Sequence, residues 1–314
     1  MQLDRRSEHV PLPLYYAALT GLLFLVRALT QKGTAENTQG RLYSSQSLHP
    51  ASSGDHKGTV KILPPRHDGG INAQGGRYGN ALQAASYGGH REVVEVVLQH
   101  GADINAQGGR CGNALYAASL NGHEDVVKLL LRHGADINAQ GGRYGNPLQA
   151  AAFGGHEDIV KVLLLHGAEV NARGGWYGNP LYTASLRGRN AIVEILLQHD
   201  ADIDAEGGQY GNPIQAASWR GQEETVKLLL QRGADINAQG GRHGNAIQAA
   251  SYAGHTGIVK LLLERGADIN AEGGEYGNAL QAALKRGNAE IVDLLTNAGA
   301  DGDVTSPTTS RSLS

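Results

Sequence analysis

The feature that most constrains this chain is an internal repeat of 33 residues. The segment GGRYGN at 75–80 returns at 108, 141, 174, 207, 240 and 273. The first residue of the tripeptide Gly-Ala-Asp at 101–103 recurs with the same step except where Asp200 replaces the glycine, so seven repeats occupy 72–302. A repeat of this size cannot bury an apolar face alone, whereas stacked repeats share one core. The sequence therefore predicts a solenoid of seven stacked repeats over 72–302.

Each repeat carries the signals for two short helices. Asn80 and its six equivalents precede the segment ALQAASY, and an Asn side chain caps the first turn of a helix well. Three repeats continue with a proline, which is tolerated at the first helical position, and these are Pro147, Pro180 and Pro213. The second helix, VVEVVLQH at 93–100, has apolar residues at helical spacing, and Gly101 is suited to a left-handed C-cap. We predict an all-α fold of stacked helix-turn-helix repeats.

The repeat resembles a known family. The segment ALQAASYGGHREVVEVVLQHGADIN at 81–105 is similar to the ankyrin repeat from its first helix to the closing Gly-Ala-Asp-x-Asn. The family usually starts the first helix with Thr-Pro-Leu-His, where this chain has Asn-Ala/Pro-Leu/Ile-Gln/Tyr. Its tip usually carries an Asp and one Gly, where this chain has Gly-Gly-x-Tyr-Gly. The changes keep the cap and turn chemistry, but they put the family's His hydrogen-bond network in question.

The form of the tip in this chain resembles that of one group within the ankyrin family. Gly-Gly-x-Tyr-Gly-Asn is similar to the ankyrin arrays at the C-terminal ends of fungal NOD-like receptor proteins. In those proteins a NACHT nucleotide-binding module precedes the array, and no such segment is recognisable among these 314 residues. The resemblance implies a sensor role for the array.

The N-terminal segment has two interpretations. Residues 13–33 align without gaps to 81–101, so we read 1–33 as a degenerate ankyrin-like repeat. Residues 12–29 include a largely apolar run that could instead serve as a secretion signal or membrane anchor, although Arg27 interrupts it and a span needs about 20 apolar residues. That alternative describes a membrane-tethered or secreted ankyrin effector.

Two further segments are predicted to lack regular structure. Residues 34–71 echo another helix pair, but two consecutive prolines at 64 and 65 fall where its second helix would continue. We expect this degenerate repeat to be poorly ordered. The tail 303–314 is rich in Ser and Thr, and we expect it to be disordered.

The residues do not support catalysis, a cofactor or a metal. A net charge of −3 gives no broad basic field for nucleic acid. The Gly-rich tip lacks the Gly-Lys-Ser/Thr of a phosphate-binding loop. Equivalent His residues lie on helices about 8–10 Å apart, too far to share a zinc ion. Cys111, the one cysteine, occupies a tip position and is expected to be an exposed thiol without a catalytic partner.

These observations predict a protein-binding module and locate its surface. Positions at the tips and at the ends of the first helices vary between repeats, while stacking positions stay nearly fixed. In ankyrin proteins these positions line the partner groove. We expect a monomer in the cytoplasm, or alternatively in the nucleus, with no membrane role and the strongest contacts around its two tryptophans. The predicted surface comprises Arg77, Tyr87, Arg110, Leu120, Arg143, Phe153, Trp176, Leu186, Arg187, Trp219, Arg220, Arg242 and Tyr252.

Overall fold

The computed structural model describes residues 71–72, 74 and 77–301. The predictions for 1–33 and 303–314, and all but the last residue of 34–71, lie outside this part of the chain. The described residues form fourteen α-helices and no strand, apart from isolated β-bridges within the tips. The all-α prediction is confirmed. None of these helices is long and apolar enough to cross a bilayer.

Each repeat contributes a first and a second helix. The odd-numbered first helices are α1 (Ala81–Gly88), α3 (Ala114–Asn121), α5 (Pro147–Gly154), α7 (Pro180–Leu186), α9 (Pro213–Arg220), α11 (Ala246–Ala253) and α13 (Ala279–Arg286). The even-numbered second helices are α2 (Arg91–Gln99), α4 (Glu124–Arg132), α6 (Glu157–Leu165), α8 (Asn190–Gln198), α10 (Glu223–Gln231), α12 (Thr256–Glu264) and α14 (Ala289–Asn297).

The chain divides into two compact units. Of the described residues, those up to 154 and 165–168 form the first unit, and 155–164 and 169–301 form the second. Within the first unit, α3 packs between α1 and α5. Within the second unit, the first helices α7, α9, α11 and α13 pack in chain order, and each contacts its own second helix. In both units the first helices supply most of the contacts between neighbouring repeats.

Small residues allow the first helices to approach closely. In α3, Ala117 and Ala118 are completely buried beside Leu115. The second helix adds a stripe of larger side chains, such as the buried Val126 and Val127 of α4. Each fully buried Val or Leu contributes roughly 1.5–3 kcal/mol, whereas an isolated nine-residue helix is marginal in water. Stacking between repeats is therefore what stabilises these helices.

The predicted helix ends are present. The Oδ1 atom of Asn80 accepts a hydrogen bond from the backbone N–H of Gln83 at 2.9 Å, which caps the first turn of α1. Gly101, after α2, has a φ of +83°, in the left-handed region. Asp200 replaces glycine at the equivalent position and has a φ of +63°. It is the one described residue other than glycine with a positive φ.

Candidate partner-binding surface

The tips are closed by backbone hydrogen bonds and joined to one another by more of them. The N–H of Gly108 donates to the carbonyl of Gly112 at 2.7 Å, which closes the tip of the second repeat. In the first unit, the N–H of Arg110 donates to the carbonyl of Arg77 at 2.9 Å. In the second unit, the N–H of Arg242 donates to the carbonyl of Gln209 at 3.1 Å. Because backbone atoms make these links, the side chains at this position vary without disturbing the tips.

A glutamine early in the first helix ties one repeat to the next. The Oε1 atom of Gln215 accepts from the backbone N–H of Asn212 at 2.7 Å. Its Nε2 atom donates to the carbonyls of Ala238 at 2.8 Å and Gly244 at 2.7 Å. Gln83 and Gln248 make equivalent contacts in their repeats. Gln therefore supplies the inter-repeat hydrogen bonds that the sequence had left in question.

Two repeats use tyrosine at the glutamine position. The hydroxyl oxygen of Tyr116 accepts a hydrogen bond from the backbone N–H of Tyr144 at 3.1 Å. Tyr182 accepts from the N–H of Tyr210 at 3.2 Å in the same way. Both rings are fully buried, and burial raises the pKa of both hydroxyls above their ordinary range. These tyrosines are structural and stay neutral at physiological pH.

A tip aromatic residue stacks on the residue that ends the first helix. In the first unit, the ring centroids of Tyr78 and Tyr87 lie 3.9 Å apart. The pair Tyr144 and Phe153 repeats this contact at 3.8 Å. Offset stacking of this kind adds about 0.5–1.5 kcal/mol beyond the burial of area. Residues predicted to face a partner therefore also hold the tip against the helix.

In the second unit the stacked pairs merge into one continuous aromatic stack. His243 contacts both Trp219 and Tyr252, with ring centroids 4.6 Å and 5.1 Å away, and the centroids of those two rings lie 5.7 Å apart. The stack continues from Tyr252 to Tyr276 at 4.5 Å, and Tyr210 covers Trp219 at 4.9 Å. The members of this aromatic stack are thus Tyr210, Trp219, His243, Tyr252 and Tyr276.

His243 is the polar member of the aromatic stack. Its side chain is 3% exposed, and neither ring nitrogen has a hydrogen-bond partner within the described structure. Burial lowers the pKa of His243 to about 4, and the positive charge of Arg242 acts in the same direction. The imidazole is therefore neutral at physiological pH and serves as a flat packing surface.

The predicted surface residues fall into three classes. Seven are exposed, namely Arg77, Arg110, Arg143, Trp176, Arg187, Arg220 and Arg242. Five are partly buried, namely Tyr87, Leu120, Phe153, Trp219 and Tyr252. Leu186 is buried.

Three expectations about exposure need correction. Leu186 is only 2% exposed because it packs with Tyr182 and Ala216 in the core of the second unit. Cys111 is only 3% exposed, so it is not the exposed thiol that its tip position suggested. Burial raises the pKa of this thiol to about 11. Trp219 is partly buried in the aromatic stack, whereas Trp176 is 69% exposed.

The histidines at two repeated positions have structural roles. The Nε2 atom of His123 lies 2.9 Å from the carbonyl oxygen of Tyr87 in the preceding repeat. His255 makes the equivalent contact with Trp219 at 3.1 Å. His100, at the end of α2, bonds instead through Nδ1 to the carbonyl of Val96 at 2.8 Å. Nowhere in the described part of the chain do three or more His, Cys, Asp or Glu side chains form a group that could hold a metal ion.

The family follows from the sequence match once this architecture is known. The sequence model described as "Ankyrin repeats (3 copies)" matches overlapping segments that together run from residue 14 to 306. This chain belongs to the ankyrin-repeat family. The ankyrin fold is a protein–protein interaction scaffold that is generally non-catalytic.

Two further comparisons agree with this assignment. The crystal structure of the human ASB11 ankyrin repeat domain matches with a TM-score of 0.61 and 27% sequence identity. That match covers 68% of this ankyrin chain and 96% of the human one. A curated relative from Monascus ruber, azaphilone pigments biosynthesis cluster protein L, is 64% identical over 31 residues. The matched segment is 10% of this chain and spans 7% of the relative's length.

Proposed function

We propose that this ankyrin array is a recognition module that binds a protein partner through its tips and the ends of its first helices. The observation that carries the proposal is the contrast between variable and fixed positions. The capping Asn80 and its equivalents never vary and are buried, whereas the tip position of Arg77 varies and is exposed in every repeat. Backbone links hold the tips in place whichever side chain they carry. The scaffold is thus constant and the outward chemistry differs from repeat to repeat.

Trp176 gives this surface an anchor of the kind that interfaces favour. Its indole is 69% exposed at a tip position that four other repeats fill with arginine. Trp and Arg are enriched among the residues that dominate binding energy, because they combine a large contact area with a polar group. A tip bearing Trp176, followed in the same unit by tips bearing Gln209 and Arg242, suits a partner with a mixed apolar and polar surface.

The test compares partners captured by the full chain and by matched variants. Trp176→Ala removes the exposed indole at a predicted contact position. Leu165→Ala is the control, because Leu165 is 82% exposed but lies at the end of a second helix. Quantitative mass spectrometry would identify proteins retained by the parent, and calorimetry with the purified partner would give Kd. We expect Trp176→Ala to weaken binding by about 2 kcal/mol, roughly 30-fold, and Leu165→Ala to leave Kd within about twofold.

Two outcomes would contradict the proposal. One is a partner whose Kd is unchanged by Trp176→Ala and by alanine substitutions at Arg143 and Arg242, with circular dichroism showing intact folds. The other is a partner that Leu165→Ala releases while Trp176→Ala does not. Either result would place recognition on the second helices.

We further propose that the array is the sensor part of a fungal NOD-like receptor type protein and acts as a monomer in the cytoplasm. The support is the Gly-Gly-x-Tyr-Gly-Asn tip and the short match to a Monascus ruber protein. Full-length transcript sequencing would test whether a NACHT module is encoded with the array or in a protein that binds it. Light scattering and cell fractionation would test the monomer and the compartment. A dimer at micromolar concentration, or recovery with membranes, would refute the corresponding part.

A further inference from the structure

In the second unit, positive charge is concentrated in the tip and first-helix segments, and negative charge is concentrated in the rest of each repeat. The tip and first-helix segments 174–187, 207–220, 240–253 and 273–286 contain five Lys or Arg residues and one carboxylate. The rest of this unit, within the described residues, contains 17 carboxylates and seven Lys or Arg residues. The net charge of the whole chain is −3, so this separation is invisible in the overall composition. The surface that varies between repeats is the basic one.

The five cations form what we call the basic strip, namely Arg187, Arg220, Arg242, Lys285 and Arg286. All five side chains are exposed. Arg187, Arg220 and Arg286 occupy the same position in their repeats, at or just after the end of the first helix. The one carboxylate of these segments, Glu275, pairs with Arg242. Apart from this pair, the formal positive charges of the strip belong to three of the four repeats.

Cations in the rest of the second unit, where carboxylates outnumber Lys and Arg, pair with neighbouring carboxylates. Lys227 on α10 pairs with Glu223 at 2.8 Å, one turn away. Arg232, just after α10, bonds to Glu194 at 3.2 Å. By contrast, neither Arg220 nor Lys285 has a carboxylate within 4.0 Å among the residues that the structure describes. The positive charges of Arg220 and Lys285 are therefore available to a partner.

Members of the aromatic stack lie next to two residues of the basic strip. The guanidinium carbon of Arg286 lies 5.3 Å from the centroid of the Tyr252 ring, a cation–π contact. Trp219 precedes Arg220 in α9, and its ring is held in the stack by Tyr210 and His243. Side chains that stand on a rigid base lose less conformational freedom when they bind.

We infer that the basic strip of the second unit binds an acidic, extended segment of a protein partner. First helices of neighbouring repeats lie about 8–10 Å apart. An extended chain in the polyproline II conformation has three residues per turn and advances about 3.1 Å per residue, so every third side chain lies on the same face. Carboxylates at every third residue therefore match the spacing of Arg187 and Arg220. The 17 carboxylates elsewhere in the unit disfavour a long polyanion such as nucleic acid, which would also approach them. This inference rests on the proposed function and names the chemistry of the partner.

The test uses fluorescence anisotropy with the full chain and synthetic probes. The main probe is a fluorescein-labelled 12-residue peptide that repeats Glu-Ser-Gly. Three comparison probes are the same peptide with Gln for Glu, a peptide of the same composition with its four Glu residues adjacent, and a 12-nucleotide oligothymidylate. We expect the spaced Glu peptide to bind most tightly and to weaken as NaCl rises from 50 to 500 mM.

A matched pair of triple variants assigns the binding to the strip. The first carries Arg187→Gln, Arg220→Gln and Arg286→Gln. The control carries Lys161→Gln, Lys227→Gln and Lys260→Gln, which removes the same net charge from second helices. Three exposed ion pairs together correspond to about a tenfold change in Kd or more. We expect that loss in the arginine variant and less than about a twofold change in the lysine variant, with circular dichroism confirming both folds.

Each remaining outcome overturns the inference. Equal binding of the Glu and Gln peptides removes the role of charge, and equal losses in the two triple variants remove the role of the strip. Tighter binding of oligothymidylate than of the Glu peptide would assign the strip to nucleic acid. A natural partner whose Kd is raised by Trp176→Ala but unchanged by the arginine triple variant would refute only the inference about an acidic segment. The proposed function would still hold.

Discussion

His243 should make the stability of the second unit fall as the solution becomes acidic. The imidazole is buried against Trp219 and Tyr252, and its ring nitrogens have no hydrogen-bond partner in the described structure. Protonation would place a positive charge in the aromatic stack beside Arg242. Although aromatic faces attract cations, the edges of the buried imidazolium would have no acceptor for their two N–H groups.

The size of the effect follows from the difference in pKa between the folded and unfolded states. The unfolded chain takes up this proton near pH 6.5, and the folded chain takes it up near pH 4, because burial and Arg242 lower the pKa of His243. Between these values the unfolded state binds more protons, so stability is lost as pH falls. The loss is about 2 kcal/mol between pH 7.5 and 5 and approaches about 3 kcal/mol below pH 4.

The assay is urea unfolding of the full chain at pH 7.5 and pH 5.0, followed by far-UV circular dichroism and tryptophan fluorescence. His243→Tyr is the informative variant, because five of the seven repeats carry Tyr at this position. We expect the variant to lose about 2 kcal/mol less than the parent on acidification. His133→Gln, at an exposed position, controls for the general effect of removing a histidine. The reasoning is refuted if parent and His243→Tyr lose the same free energy.

Three other substitutions or treatments test single features of the scaffold. Asp200→Gly should stabilise the array by a few tenths to about 1 kcal/mol in urea unfolding, because a φ of +63° strains Asp and not Gly. A destabilised variant would mean that the Asp side chain makes a stabilising contact. Cys111 should react with a thiol reagent at pH 8 only as fast as the array opens, since it is buried and its pKa is raised to about 11. Rapid labelling of the folded chain, before any loss of circular dichroism, would contradict this. Gln215→Leu should cost about 2–3 kcal/mol, because it leaves the carbonyls of Ala238 and Gly244 without their side-chain donor. A loss below about 0.5 kcal/mol would show that other donors replace the amide.

The fold could be predicted from the sequence because its signals are local and are repeated seven times. The period gave the number of repeats, Asn80 and its equivalents gave the start of each first helix, and Gly101 gave the end of each second helix. Even the exception at Asp200 was predictable, because left-handed backbone is a property of one residue and its position. Helix bounds differed from the prediction by one or two residues, since α2 begins at Arg91 and the apolar stripe begins at Val93.

The exposure of individual surface positions was less predictable, because it depends on residues far apart in sequence. Cys111 follows an exposed Arg110 in a tip, and nothing in that local pattern indicates that the thiol packs beside Tyr116. Leu186 is buried because Tyr182 and Ala216 enclose it, and Ala216 belongs to the next repeat. One sequence signal did indicate that Cys111 is buried, since all six other repeats have an aromatic ring at this position. Such regularity at a tip indicates packing.

Variation between repeats is therefore not by itself a mark of a binding surface. Trp219 and Arg220 are neighbours in α9 and both vary, but successive residues of an α-helix point about 100° apart. One direction leads Trp219 into the aromatic stack, and the other leaves Arg220 exposed. The variation at the Trp219 position is matched by a change inside the protein, because His243 replaces the usual tip tyrosine beside the indole ring. The variation at the Arg220 position has no such counterpart among the described residues, so we expect the partner to contact Arg220. The variant Trp219→Ala would change the stability of the aromatic stack, and its effect on binding can be interpreted only after that stability is measured.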